Sequence, residues 1–271
     1  MRLAAYAPVQ RIVGVLLLFI SLAFLPPLVF ALVNDDGASA AFIISFFVVS
    51  LVGLGLYWPV RKAHHDLRIS DGFLVVVACW GAVCLAGAIP FVLGLDASLA
   101  DAVFESTSGI TTTGATVFSG LDDMPISILW YRQQLQWIGG LGIIVLAVAI
   151  LPMLRVGGIQ VTKAEASGPV KERRLTPRIA ETAKALWAIY IGLTLVCAAA
   201  FWAAGMSLFD AFAHAFSTIA TAGFSTHDAS IGHFDSALID WLVTFFVFIA
   251  SLNFGLHFLA LRRGTAQVYL K

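Results

Sequence analysis

Residues 108–120 read SGITTTGATVFSG, with three consecutive threonines, three glycines and no charge. Such a segment has no nucleophile–base pair and no carboxylate. What it offers is neutral oxygen: threonine hydroxyls and, where glycine frees the backbone, carbonyl groups that can turn toward a dehydrated cation. A second copy supports a designed role. Shifted by 109 positions, SLADAVFESTSGITTTG (98–114) falls on SLFDAFAHAFSTIATAG (207–223) with eight of seventeen residues identical, among them Asp101/Asp210, Ser108/Ser217, Thr112/Thr221 and Gly114/Gly223. The candidate cation-coordinating residues are therefore Thr111, Thr112, Thr113 and Gly114 in the first copy. Ala220, Thr221, Ala222 and Gly223 are their counterparts in the second. Gly114 and Gly223 are expected to supply the backbone dihedrals that the turned carbonyls need.

The elements that must position these segments are helices in a bilayer. The 271 residues are 60% hydrophobic and 12% charged, with mean hydropathy +0.92, and about twice that charged fraction is usual in soluble domains. Apolar runs at 12–33, 41–60, 73–95, 133–154, 185–204 and 238–261 each approach or exceed the roughly 20 residues that cross a bilayer as helix. Each copy of the repeat follows one of these runs. It opens with an amphipathic piece too short to cross (98–109, then 207–218), continues as the polar segment, and is followed by an acidic loop and another span. That order is the plan of a re-entrant loop. Irregular backbone at membrane depth is tolerated only where protein buries it or a watery path runs past it. The C-terminus of each short helix would point to mid-membrane, where its partial negative charge favours a cation. Two full spans separate the copies, so both loops enter from the same face as a parallel repeat rather than an inverted one.

Charge assigns the sides. With both termini cytoplasmic, one side carries fifteen of the sixteen basic residues against five acids, and the other carries Arg132 alone against eleven acids. The basic excess fixes the orientation, and the acidic outer surface could concentrate cations or be merely solvated. Asp101 and Asp210 sit near the starts of the short helices, where capping and ion attraction are both open readings. Glu105, whose repeat partner is His214, reads as a hydrogen-bonded brace behind the polar segment. Arg132 could pair with Asp122, Asp123 or Glu105, or exclude anions. Asn253 and His257, four apart in the last run, would share a face. Cys79, Cys84 and Cys197 lie in apolar runs and read as packing residues. The basic segment 155–184 could meet anionic lipid or a partner, or be plain linker.

FESTSGITTTGAT (104–116), YRQQLQWIGGLGIIVLAVAILPML (131–154), LTPRIAETAKALW (175–187) and FSTIATAGFSTHDASIG (216–232) resemble the Trk/Ktr/HKT potassium-uptake superfamily, closest to its TrkH type. The resemblance implies an all-α polytopic membrane protein in which two N-terminal helices precede helix–pore loop–helix repeats around one potassium path. Here the extra helices would occupy 1–69, repeat one 70–155, a cytoplasmic linker 156–181, repeat two 182–263 and a tail 264–271. It implies filter contacts made mainly by backbone carbonyls, K⁺ as the transported ion, no cofactor, and a bacterial inner-membrane location. It further implies a cytosolic nucleotide-binding regulatory partner. Two departures stand out. Such proteins carry four repeats and this chain two, so it would be half of a split transporter, a fragment, or a protomer that pairs with a second copy as a dimer. The residue before the second filter glycine, commonly glycine in the family, is Ala222, whose methyl group resists positive φ. The expected function is selective potassium transport, with a non-conducting assembly subunit as the alternative. No enzymatic activity and no nucleic-acid partner are expected, since no nucleotide-binding loop, nucleophile elbow or zinc-protease motif occurs.

Overall fold

The computed structural model describes residues 6–62, 69–145, 175–265 and 267. The segment expected to form the cytoplasmic linker, 156–181, lies largely outside them, as does the end of the run at 133–154. Among the described residues there are ten α-helices and two short 3-10 turns. A first span, Ala7–Asn34, is made of α1 (Ala7–Leu22) and α2 (Leu25–Asn34). The joint falls just before Pro26 and Pro27, which lack the N–H that would continue the ladder. Next come α3 (Ser39–Val60) and α4 (Ile69–Leu95), then the short α5 (Leu99–Ile110) and α6 (Ile126–Val145). The second half repeats the order with α7 (Leu175–Ala203), the short α8 (Leu208–Ile219), α9 (Ala237–Ser251) and α10 (Phe254–Arg263). Four helical stretches are long and apolar enough to cross a membrane, and the bent pair α9–α10 could serve as a fifth. The chain is an all-helical, multi-pass membrane protein.

The short helices have 12 residues each, so each spans about 18 Å against a hydrocarbon core of about 30 Å. Both start identically. Ser98 and Ser207 are the N-caps, each accepting a hydrogen bond from the backbone N–H of Asp101 or Asp210 and donating its hydroxyl to that residue's carboxylate, at 2.7 and 2.6 Å. These contacts satisfy helix-start donors that would otherwise be orphaned. Even the turn before them is shared, because Asp96 and Gly205, 109 apart, both have positive φ.

Packing depends on glycine. A Cβ on Gly14 would lie 2.9 Å from Gly53 O, so α1 and α3 touch backbone to backbone, the small-residue contact usual between membrane helices. Two glycines hold α5 in the same way. A Cβ on Gly87 of α4 would fall 2.4 Å from Ser106 Oγ, and one on Gly139 of α6 only 2.1 Å from Ile110 O. Helix α6 also reaches the second half: Trp137 stacks on Phe216 of α8 at 5.0 Å, and Tyr190 of α7 donates to the Trp137 carbonyl at 3.1 Å. It therefore lies between the two short helices.

Two expectations change here. The helix expected from residue 133 begins at Ile126. Its first turns carry Arg132, Gln133, Gln134 and Gln136, which lower the hydropathy but are buried in protein. The run 238–261 is not one straight span, since α9 and α10 meet at 90°. Leu252 is extended, and the Asn253 side chain accepts from Gly255 N at 2.8 Å, capping a new helix instead of continuing the old one. Asn253 and His257 thus do not share a helix face, and a His257 ring nitrogen instead lies 3.0 Å from Ile249 O across the bend.

The glycine contacts predict a contrast within one helix. Gly139→Ala should lower the thermal unfolding midpoint in detergent, because the methyl meets a carbonyl that cannot leave; overpacking of this kind costs about 1–3 kcal/mol. Gly142→Ala, where a Cβ would find Trp80 no closer than 4.0 Å, should be neutral or slightly stabilising, since alanine is the better helix former.

Candidate functional site

The two Thr/Gly segments begin where α5 and α8 end, and the ends are built alike. Thr113 N donates to Ser108 O at 2.9 Å and Ala222 N to Ser217 O at 3.0 Å, while Thr112 N and Thr221 N each reach the carbonyl three residues back at 3.0 Å. In this closing turn Thr112 and Thr221 adopt φ of 57° and 50°. For a β-branched residue that region is an outlier, a strain of about 1–3 kcal/mol that persists only where the surroundings enforce it. The chain reverses there and leaves the helix extended.

The two segments then meet. A Cβ on Gly114, which has φ +77°, would sit 2.4 Å from Gly223 N and 2.6 Å from Gly223 Cα. Gly114 is therefore required twice, by its dihedral and by the neighbouring strand. Gly223 differs from expectation. Its φ is not positive, and a Cβ there would find Gly114 atoms no closer than 3.4 Å. Nor is Ala222 in the positive region, so its methyl group is accommodated without strain. Positive φ falls one residue earlier, on Thr221.

Of the eight segment residues, Thr111, Thr113, Thr221 and Gly223 are exposed, Thr112, Gly114 and Ala222 half-buried, and Ala220 buried. Thr111 Oγ1 donates to Thr107 O at 2.7 Å and lies 2.8 Å from Thr113 Oγ1. The hydroxyls of Thr111 and Thr113 are thus both hydrogen-bonded within the turn.

Behind the segments is a buried polar network. Glu105 and Arg132 are both fully buried and pair at 2.8 Å. Glu105 also accepts from Thr116 Oγ1 at 2.9 and 3.0 Å and from Val117 N at 3.2 Å. Arg132 donates to Thr116 Oγ1 at 3.1 Å and, across the repeats, to Ser225 O at 2.9 Å. The guanidinium carbon stands 4.4 Å over the Phe224 ring, a cation–π contact. One cation therefore ties α5, α6 and the strands beyond both glycines. Of its three candidate partners, Arg132 takes Glu105.

In the second half, His214 occupies the Glu105 position, with Nε2 2.9 Å from Ser225 Oγ. Ser225 is 109 residues from Thr116, so both short helices reach the strand eleven residues on with one side-chain hydrogen bond. Extending the repeat two residues past the glycines aligns Thr116 with Ser225 and would have revealed this pair. Asp210 has more contacts than Asp101, since its carboxylate also accepts from Thr226 Oγ1 at 2.8 Å and lies 3.3 Å from His227 Nε2.

The loops that follow the two Thr/Gly segments are joined as well. His227 Nδ1 lies 2.6 Å from Asp122 Oδ1, and Leu121 N donates to Asp228 Oδ2 at 3.1 Å. The hydrogen bond with His227 holds the Asp122 carboxyl below the usual carboxylate range. Asp123 is exposed. Asp36 accepts from Ser127 N at 2.9 Å, fixing the outer turn of the first helices to the start of α6.

The chain is similar to known proteins. The chain is 53% identical over 261 residues to the Trk system potassium uptake protein TrkH of Vibrio parahaemolyticus serotype O3:K6, covering 96% of this chain and 54% of that one. It is 51% identical to TrkH and 39% identical to TrkG of Escherichia coli strain K12, over 97% of this chain and 55% of each. The crystal structure of the potassium transporter TrkH from V. parahaemolyticus superposes with a TM-score of 0.87 at 48% identity, covering all of this chain and 55% of that one. The chain thus spans about half the length of the curated relatives it matches. A family model described as a cation transport protein, TrkH, matches residues 38–270, and the chain belongs to the TrkH family of cation transport proteins.

Proposed function

We propose that the chain forms half of a potassium path, with segments 111–114 and 220–223 as two strands of its selectivity filter. The observation that carries this reading is the meeting of two strained Thr/Gly turns at Gly114 and Gly223, each at the C-terminus of a short helix. In this reading, residues 70–155 and 182–263 are the two pore repeats and 1–69 the extra helices. Cations collect at the acidic outer mouth, shed water against carbonyl oxygens of the two segments, and enter a cavity toward which the negative ends of α5 and α8 point. Movement follows the electrochemical gradient and involves no catalytic step. The relatives' names, Trk system potassium uptake proteins, support K⁺ as the ion.

Two strands cannot surround an ion. The exposed edges of Thr111, Thr113, Thr221 and Gly223 therefore call for two further strands, supplied by a second half or by a second copy in a dimer. The basic residues support cytoplasmic termini, the bacterial relatives support a bacterial inner-membrane setting, and a cytosolic nucleotide-binding subunit would dock on the side of the termini.

Flux of K⁺ and Na⁺ through the 271-residue chain in liposomes tests this reading. Potassium-selective flux from the chain alone would mean that copies pair into a full pore. Flux restored only by adding the remaining repeats would identify it as half of a transporter, and no flux in either case would leave it a non-conducting assembly subunit.

Five variants in the conducting form make the proposal specific. Gly114→Ser should reduce K⁺ over Na⁺ preference by about tenfold or more, equivalent to about 1.4 kcal/mol, whereas Gly223→Ala should have the smaller effect. Arg132→Gln leaves Glu105 buried and unpaired, which should cost about 3–5 kcal/mol of stability. Adding Glu105→Gln to it should recover part of that loss in thermal unfolding. Asp123→Lys, which disturbs none of the loop contacts made by Asp122, should slow K⁺ entry mainly at low ionic strength, where screening is weak.

A further inference from the structure

The outer loops carry a cluster that ion conduction does not use. Asp122 lies in the 3-10 turn Leu121–Asp123 after the first Thr/Gly segment, and His227 and His233 lie in the loop after the second. One donor atom from each of the three lies within 4.8 Å of the other two. His227 Nδ1 faces Asp122 Oδ1 at 2.6 Å. Its Nε2 is 3.3 Å from Asp210 Oδ1 but lacks the alignment of a hydrogen bond. The His227 and His233 rings stack with centroids 3.5 Å apart and planes 2° from parallel. His233 and Asp122 are exposed and His227 half-buried, so solvent reaches the cluster.

We propose that Asp122, His227 and His233 form a binding site for a divalent transition metal of the zinc class, which clamps the loops beyond the two Thr/Gly segments to each other. Two imidazoles and one carboxylate are the donor set that suits zinc or nickel and leaves a position for water, whereas calcium and magnesium take oxygen ligands. The surroundings match a metal-bound histidine. With Nδ1 on the metal, Nε2–H faces the Asp210 carboxylate, the outer partner that fixes ring orientation and raises ligand basicity. Thr226 and Ser207 in turn hold Asp210.

Loading needs two local changes. The metal takes the place of the proton between Asp122 and His227 Nδ1, and in the neutral imidazole the ring proton then sits on Nε2, facing the Asp210 carboxylate. The His233 ring, on an exposed turn, swings out of the parallel stack, because stacked rings aim their lone pairs side by side instead of at a common point. Neither change moves a helix. Binding does not depend on whether the chain conducts potassium.

The test is calorimetric titration of Zn²⁺ into the full chain in lipid nanodiscs, beside His233→Gln and a His64→Gln, His65→Gln double variant. Wild type and the double variant should bind one equivalent. His233→Gln should lose more than the roughly 10- to 100-fold in affinity that removal of an outer partner costs, with its metal-free helicity and thermal midpoint unchanged. Zn²⁺ should raise the thermal midpoint of wild type but not of His233→Gln, and equal Ca²⁺ should not. Co²⁺ in place of Zn²⁺ should give visible absorption bands that His233→Gln abolishes. Absence of binding, equal affinity in His233→Gln, loss of binding in the His64/His65 variant, or Ca²⁺ binding at the same strength would each overturn the site.

Discussion

Arg132 is the interaction on which the rest of the structure depends. A guanidinium with no exposed surface carries a desolvation cost of several kcal/mol, repaid only when its donors are well satisfied. Here three of its nitrogens reach three different acceptors: the Glu105 carboxylate, the Thr116 hydroxyl and the Ser225 carbonyl. Those acceptors lie on the first short helix, the strand beyond Gly114 and the strand beyond Gly223. Because the charge cannot be left unpaired, none of the three elements can move without a large penalty. The geometry of the two Thr/Gly turns is inherited from that constraint.

The same constraint explains why glycine gathers on α6. A short helix that stops in mid-membrane has unpaired carbonyls, and these must face protein or a polar path. Gly139 lets α6 come against Ile110 O, so backbone closes over the end of α5 on one side and leaves the Thr/Gly side open. Any side chain at Gly139 would hold the helices apart. The strain at Thr112 and Thr221 fits this picture. Glycine at those positions would relax the turn but enlarge the freedom of the unfolded chain.

Much of this was legible in the sequence because it is periodic or repeated. Long apolar runs located α1 through α4 and α7, and the 109-residue shift located both short helices and the turns that follow, although the capping expected of Asp101 and Asp210 falls to Ser98 and Ser207. Hydropathy failed at α6 because it treats Arg132 and the glutamines as facing lipid or water, whereas they face other helices. It failed again at Leu252 and Asn253, where one capping side chain outweighs an otherwise apolar span. The cross-repeat contacts were not legible at all. The distance from Arg132 to Ser225, or from Asp122 to His227, is set by how the two halves pack, and no local pattern encodes it.

The two halves are alike in backbone and unlike in charge, and the difference has a direction. The first half places a carboxylate and a guanidinium behind its strand; at the position matching Glu105 the second has His214. If both halves carried Glu and Arg, four charges would share one buried region, and each additional pair would have to recover its own desolvation. With one pair, the second strand is held by the first half's arginine through the Ser225 carbonyl and by a neutral hydrogen bond that the Ser225 hydroxyl donates to His214 Nε2, whose Nδ1–H is given to the Asp210 carbonyl. The repeat thus keeps its shape by sharing one cation, and the second half relies on the first for its position.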